Sequence, residues 1–257
     1  MSLQERTKES FGYEWAKFHD IFAEYEANFL TYIAPIGQDF FKGKLVLDAG
    51  CGAGRHSYFA AKYGANVVAI DLSEKSVAST KENLKGFDAE VIQSDLCTFE
   101  YPQKFDYVFS IGVLHHLPDP QAGFNHLVSL VKPGGTISIW VYSQEDNWLA
   151  IHLYEPLRKI TTRIPHKVLY YLSYVPAVMV EICNRLNLPI FRYYKKFPFR
   201  TKLNDAFDVF SAPSAKYYSL DEICDWFCRK EFSRVKVHYR YLNGVRKGIV
   251  GMGVKNG

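Results

Sequence analysis

Lys44-Leu-Val-Leu-Asp-Ala-Gly-Cys-Gly-Ala-Gly-Arg-His56 is the stretch on which the reading of this chain turns. The apolar run Leu45–Leu47 has the character of a buried strand; Asp48 follows, and glycines at 50, 52 and 54 lead into a predicted helix. Glycine allows a sharp turn and a close approach of backbone to ligand. The helix behind the turn points its free N–H groups at whatever fills it. A dinucleotide site has the form Gly-x-Gly-x-x-Gly, whereas the spacing here is Gly50-x-Gly52-x-Gly54 with an acid two residues ahead. Asp48 would repel a pyrophosphate, so the turn favours a ligand with a positively charged or hydroxyl-rich part.

Working outward, the same register recurs. Asn66-Val-Val-Ala-Ile-Asp71 is a second apolar run ending in an acid. In a βαβ unit an acid at that strand tip meets ribose hydroxyls. Ser73 reads as the N-cap of a helix over roughly 74–85. Ala89–Asp95 reads as a third strand, Phe105–Pro120 as a fourth with its exit loop, and Leu130-Val-Lys-Pro-Gly-Gly135 as a turn into a fifth strand, Thr136–Val141. Asp106 precedes the fourth strand's apolar core rather than standing at its tip, which assigns it to structure.

With these five motifs in order, the chain resembles the small-molecule branch of the class I S-adenosylmethionine (SAM) dependent methyltransferases. The resemblance is strong over 40–143 and thin over 144–202. It implies that SAM is the cofactor, leaving as S-adenosylhomocysteine, and that Asp48, Gly50, Cys51, Gly52 and Gly54 form its turn. It further implies Asp71 and Leu72 at the ribose, Ser94, Asp95 and Leu96 around the adenine, and Ile111 at the tip of strand four. Asp48 is also read as a partner for backbone amides of the glycine turn. Phe11-Gly-Tyr-Glu-Trp15 resembles a segment that closes over the methionine end of SAM, which makes Tyr13 a cofactor contact. Phe18, Phe22, Tyr25 and Phe29 continue it at spacings of three and four, predicting one helix with an inner face.

The remainder completes one α/β domain. Ser219-Leu-Asp-Glu222 is a capping box opening a helix to about Lys230 with Ile223, Trp226 and Phe227 on its apolar face. Alternation from Val235 to Tyr241, the turn signal Asn243-Gly244, and Gly248–Val254 read as a hairpin. The expected fold is a Rossmann-like, seven-stranded, mostly parallel sheet with strand seven antiparallel, helices on both faces and a helical lid insertion. Its parts are an N-terminal cap (1–40), a SAM-binding core (41–143), the lid (144–202) and a C-terminal helix with hairpin (203–257). A nicotinamide enzyme would more often continue with parallel units.

The five cysteines are scattered and odd in number and no secretory leader is evident, so free thiols in a reducing cytoplasm are expected. Cys224 and Cys228, four apart without a second ligand pair, read as buried thiols, and no metal is expected.

Within a chain of net charge +4, nine Lys/Arg stand against two acids from Glu155 to Arg200, interleaved with tyrosines and phenylalanines. The apolar run Val168–Val180 contains Pro176 and falls short of the roughly 20 residues that cross a bilayer. Three readings follow: a plain lid with a solvated basic face, a lid making peripheral contact with an anionic membrane, and a nucleic-acid surface. The last ranks below the others because the segment is too apolar between its charges. Ser110-Ile-Gly-Val113 stands where amino-methylating relatives carry Asn-Pro-Pro-Tyr, which argues against adenine, cytosine and glutamine nitrogens as acceptors.

The acceptor is therefore expected to be a small or lipid-linked molecule methylated at oxygen. C-methylation of a quinone-like lipid and a non-catalytic SAM-binding protein are the alternatives. An oxygen or ring-carbon acceptor needs a base; His116 and then His115, at the tip of strand four, are the candidates, with Tyr142, Asp208, Tyr217 and Tyr218 nearby. Either histidine could instead simply pack where the next helix begins.

Overall fold

A computed structural model describes residues 2–148, 150–228 and 232–257. Strands β1 (Leu45–Ala49), β2 (Asn66–Asp71), β3 (Ala89–Gln93), β4 (Phe105–Ile111), β5 (Val131–Val141), β6 (Phe232–Leu242) and β7 (Val245–Lys255) form one sheet in the order β3-β2-β1-β4-β5-β7-β6. The first five pair in parallel, and β7 lies antiparallel between β5 and β6. The strand order reverses between β1 and β4. At such a switch point the connections leave in opposite directions and open a crevice at the carboxyl ends.

Helices α1 (Leu3–Lys17), α2 (Glu24–Ile33), α3 (Arg55–Lys62), α4 (Glu74–Asn83) and α5 (Pro120–Leu130) precede β5 or connect the parallel strands. Between β5 and β6 lie α6 (Glu155–Thr161), α7 (His166–Leu172), α8 (Tyr174–Arg185), α9 (Phe199–Ser211) and α10 (Leu220–Phe227). Alternate strand residues fill two cores. Leu47, Val68, Val108 and Ile139 pack with Phe124 of α5 and Phe227 of α10. Val46, Val67, Tyr107 and Phe109 pack with Phe29 of α2 and Phe59 of α3. The period of two in a strand makes both faces apolar at once. No helix among the described residues is long and apolar enough to cross a membrane.

Local signals read from the sequence take the expected form. Ser73 caps α4, and at α10 Ser219 Oγ accepts from Glu222 N while Ser219 N donates to Glu222 Oε2 at 2.7 Å. Asn243 and Gly244 both hold positive φ, as a tight hairpin turn requires.

Other expectations need correction. The N-terminal aromatics occupy two helices, because the carbonyls of Lys17 and Phe18 are taken by Arg200 and Arg55, which ends α1 without glycine or proline. The third strand stops at Gln93, and Asp95 caps the next turn by accepting from Cys97 N at 2.9 Å. Strand five begins at Val131, with an irregularity opposite Phe105–Tyr107. Cys228 is exposed and Cys224 part-exposed, since α10 turns Ile223, Trp226 and Phe227 inward. Helix α9 runs through the expected lid boundary at 202, and the expected helix end at Lys230 lies outside the described residues.

Candidate functional site

The glycine turn sits at the carboxyl end of β1. Gly50 has φ +89°, and a Cβ there would lie 2.4 Å from the Val113 side chain. Gly52 has φ +57°, and its Cβ would meet the Trp15 indole at 2.8 Å. Both positions demand glycine for conformation and for space. Gly50 N and Cys51 N donate to Ile70 O, at 2.8 and 2.9 Å. Asp71 braces the turn: Gly52 N donates to its Oδ2 at 3.0 Å and Ser73 N to its Oδ1 at 2.9 Å.

A cavity of about 830 Å³ opens from this turn. On its sheet side it is lined by Gly50, Cys51, Gly52, Asp71, Leu72, Ser94, Asp95, Leu96, Ile111 and His116. It continues past Trp140 and Tyr142, at the end of β5, to Tyr32, Tyr194 and Phe197, and is closed by Arg158, Asp205 and Asp208. Helix α1 covers it with Gln4, Thr7, Lys8, Phe11, Glu14 and Trp15, a stripe at the i, i+3, i+4 spacing of one helical face.

Three expected cofactor residues do not line the cavity. Asp48 is buried and accepts from Ser57 Oγ at 2.6 Å. Burial pushes its carboxyl up to about 7, and through Ser57 it braces β1 against α3. Gly54 is the left-handed N-cap residue of α3. Tyr13 lies off the inner stripe of α1, and its ring stacks on His166 and packs on Phe207.

The two histidines separate cleanly. His115 is fully buried, stacked 3.9 Å from the Tyr142 ring, and among the described residues neither ring nitrogen has a partner. Burial holds it well below the ordinary histidine range. His116 lines the cavity, and its Nδ1 lies 2.6 Å from Ser214 O. A carbonyl only accepts, so Nδ1 carries the hydrogen and Nε2 keeps its lone pair. Burial lowers His116 as well, which keeps the ring neutral near pH 7.

Of the outer candidates, Tyr142 donates to Asp208 Oδ2 at 3.3 Å and Tyr217 to Glu155 Oε1 at 2.8 Å, and all four line the cavity or hold a residue that does. Tyr218 packs on Trp226 away from it.

Sequence reasoning missed the polar cluster under α1, where burial raises the Glu14 carboxyl well above the ordinary carboxylate range. Glu14 is buried, Asn204 Nδ2 donates to its Oε1 at 2.9 Å, and its Oε2 has no partner among the described residues. Arg55 lies over the Trp15 and Tyr25 rings, 4.8 and 4.7 Å away, and donates to Asn204 Oδ1 at 3.2 Å. The available signal was the phase of α1, since Phe11, Glu14 and Trp15 share a face that Tyr13 does not.

A parallel sheet with this switch point, an acid-braced glycine turn and a cavity roofed by an insertion after β5 defines a class I methyltransferase architecture. A family profile described as a methyltransferase domain matches residues 46–135. Residues 46–135 therefore carry the match to a methyltransferase domain, and the fold around them is the Rossmann-like fold of methyltransferases. It is 36% identical over 105 residues to a ubiquinone biosynthesis O-methyltransferase of Coxiella burnetii, covering 37% of this chain and 42% of that protein. It is 38% identical over 104 residues to the protein of the same name from Thiobacillus denitrificans, covering 39% and 43%. The matched region thus spans less than half of these curated relatives. The magnesium protoporphyrin IX methyltransferase of Synechocystis, solved with bound SAM, superposes with a TM-score of 0.60 at 16% identity, over 100% of this chain and 98% of that one. This last likeness concerns the fold.

Proposed function

We propose that this chain transfers the methyl group of SAM to an oxygen of a small-molecule or lipid-linked acceptor. The observation that carries the reading is the single cavity running from the glycine turn, past His116, into a chamber walled by Trp140, Tyr142, Tyr194 and Phe197. The residues suit the cofactor: the turn leaves no room for a Cβ, and Glu14, whose Oε2 has no partner among the described residues, lines the cavity.

On this reading the turn and Asp71 hold the nucleoside end, Asp95 and its neighbours flank the base, and Glu14 with Arg55 holds the amino-acid end. The cofactor supplies a methyl on a positively charged sulfur, already primed for displacement. The chain has then to align the acceptor and exclude water. With the cofactor and acceptor bound, His116 Nε2 would be the group to accept the proton of the acceptor hydroxyl. Ser214 O fixes the tautomer that makes this possible. His115 acts only as packing beneath Tyr142. Oxygen is favoured as the acceptor atom because the relatives above are named O-methyltransferases.

The test is transfer of radiolabel from SAM into an extract of the source cells, partitioned between organic and aqueous phases. Label in the organic phase indicates a lipid-linked acceptor, and label in the aqueous phase a small polar one. SAM binding without label in either would sink the transfer reading. With an acceptor in hand, His116→Ala should lower turnover by about 10²–10⁴-fold with SAM affinity unchanged. Full turnover in that variant would return His116 to packing.

A further inference from the structure

The outer side of the lid differs from the rest of the surface. Among the described residues, the strongly exposed large hydrophobic side chains fall between Trp148 and Leu188, apart from Leu3 and Tyr241. On α8 and its last turn they are Tyr174, Val175, Val178, Met179, Ile182 and Leu186, which are 37 to 67% exposed. Their spacing places them on one face of the helix, while Ala177 on the other side is fully buried. Helix α7 repeats the arrangement, with Leu169 buried and Val168, Tyr171 and Leu172 outward. An apolar patch of this extent on a soluble surface marks an interaction site.

Charge identifies the occupant. Lys159, Arg163 and Lys167 are exposed beside Ile160, Val168 and Tyr171, and Lys195 and Lys196 are exposed just beyond α8. The two acids of this segment are neutralised from within: Glu155 pairs with Arg158, and Glu181 with Arg185 and Lys202. The outward field is therefore positive around an aliphatic and aromatic centre. A symmetric contact between two copies would press these cations against one another. An anionic lipid surface satisfies both features, its headgroups taking the lysines and its acyl boundary the α8 face.

We propose that the outer face of α7 and α8 docks this chain on an anionic lipid bilayer. Met179 and Pro176 also line the cavity, so its wall reaches the docked face. Entry of a lipid-linked acceptor from the bilayer side rests on the proposed function above; docking itself does not.

The test is flotation of the full chain with vesicles of phosphatidylcholine alone, or mixed in equal parts with phosphatidylglycerol. Binding is expected to the mixed vesicles only and to weaken with salt. Lys159→Gln with Lys167→Gln and Lys196→Gln should lower partitioning about a hundredfold, about fivefold per basic residue. Val175→Ser with Val178→Ser and Ile182→Ser should remove it. SAM affinity, measured by calorimetry, should be unchanged in both triple variants, which shows that they fold and keeps docking separate from turnover. Absence of binding to the mixed vesicles, or binding that survives both variants, would overturn the proposal. So would a dimer in sedimentation that the apolar variant dissociates, because the face would then belong to a second copy.

Discussion

Along β4, Phe105, Tyr107, Val108, Phe109 and Ser110 are all fully buried, whereas along α8 only Ala177 is, and Val175, Met179 and Ile182 stand open to solvent. The central strands draw their stability from two covered apolar faces. The lid hangs from α9 by a small cluster, Leu169, Ala177, Leu203 and Phe207 with Phe18, and by polar ties. Examples are Arg158 Nε to Val209 O at 2.7 Å and Lys202 Nζ to Glu181 at 2.6 Å. Regions with few buried apolar contacts open at lower free energy than the core. On the proposed function, a cover that admits an acceptor gains from that difference, and a sheet that holds the glycine turn in register does not.

The largest effect should come from truncating one fully buried ring in each region. Phe109→Ala and Phe207→Ala each remove contacts worth about 3–5 kcal/mol. The first should lower the unfolding midpoint of the whole chain. The second should instead expose residues 150–211 to limited proteolysis while the unfolding midpoint of the sheet holds. If Phe207→Ala melts the chain in a single transition like Phe109→Ala, the two regions are one cooperative unit and the contrast fails.

A smaller loss is expected at the turn. Asp71→Ala removes the acceptor of the Gly52 and Ser73 amides as well as the proposed ribose partner. SAM affinity should fall by about 1–3 kcal/mol in calorimetry. An unchanged affinity would mean that neither bracing nor ribose contact matters to the cofactor.

A comparable effect depends on pH and belongs to the sheet side, at a ring that also lines the cavity. His56 stacks on Phe29, its Nδ1 is sealed without a partner among the described residues, and burial takes it down to about 3 from 6.5. The unfolded chain therefore binds this proton first as pH falls below 6.5, and folded stability drains until the ring itself protonates. His56→Phe should remove this term, making the variant more stable than the parent by about 2 kcal/mol at pH 5 relative to their difference at pH 7. Denaturant unfolding at the two pH values measures it, and parallel acid limbs would show that His56 is not sealed.

The contrast between the regions also governs what could be read in advance. The strands, the Ser73 and Ser219 caps, the Asn243-Gly244 turn and the glycine turn are set by neighbours within a few residues, so composition and period revealed them. The lid offered charge and aromatics but no period long enough to separate α6, α7 and α8, and its boundary with α9 escaped. In the site, Gly50, Gly52, Asp71, Asp95 and His116 come to the cavity wall because each ends a strand or follows one. Asp48 and His115 do not, and nothing local distinguishes them from residues that do, whereas for Tyr13, which also stays off the wall, the phase of α1 was a local signal.

By itself the sequence determined the order of strands and helices, the turn that only glycine can make, and the outward positive charge of the lid. Those follow from backbone conformation, side-chain period and net charge, which are properties of short segments. Tertiary structure alone decided that α1 ends at Lys17, that Glu14 rather than Tyr13 faces the cavity, that Asp48 is spent on Ser57, and that His116 but not His115 is presented with a fixed tautomer. Each of those outcomes depends on a partner far away in the chain, such as Arg55, Asn204 or Ser214, and on which groups burial strips of water.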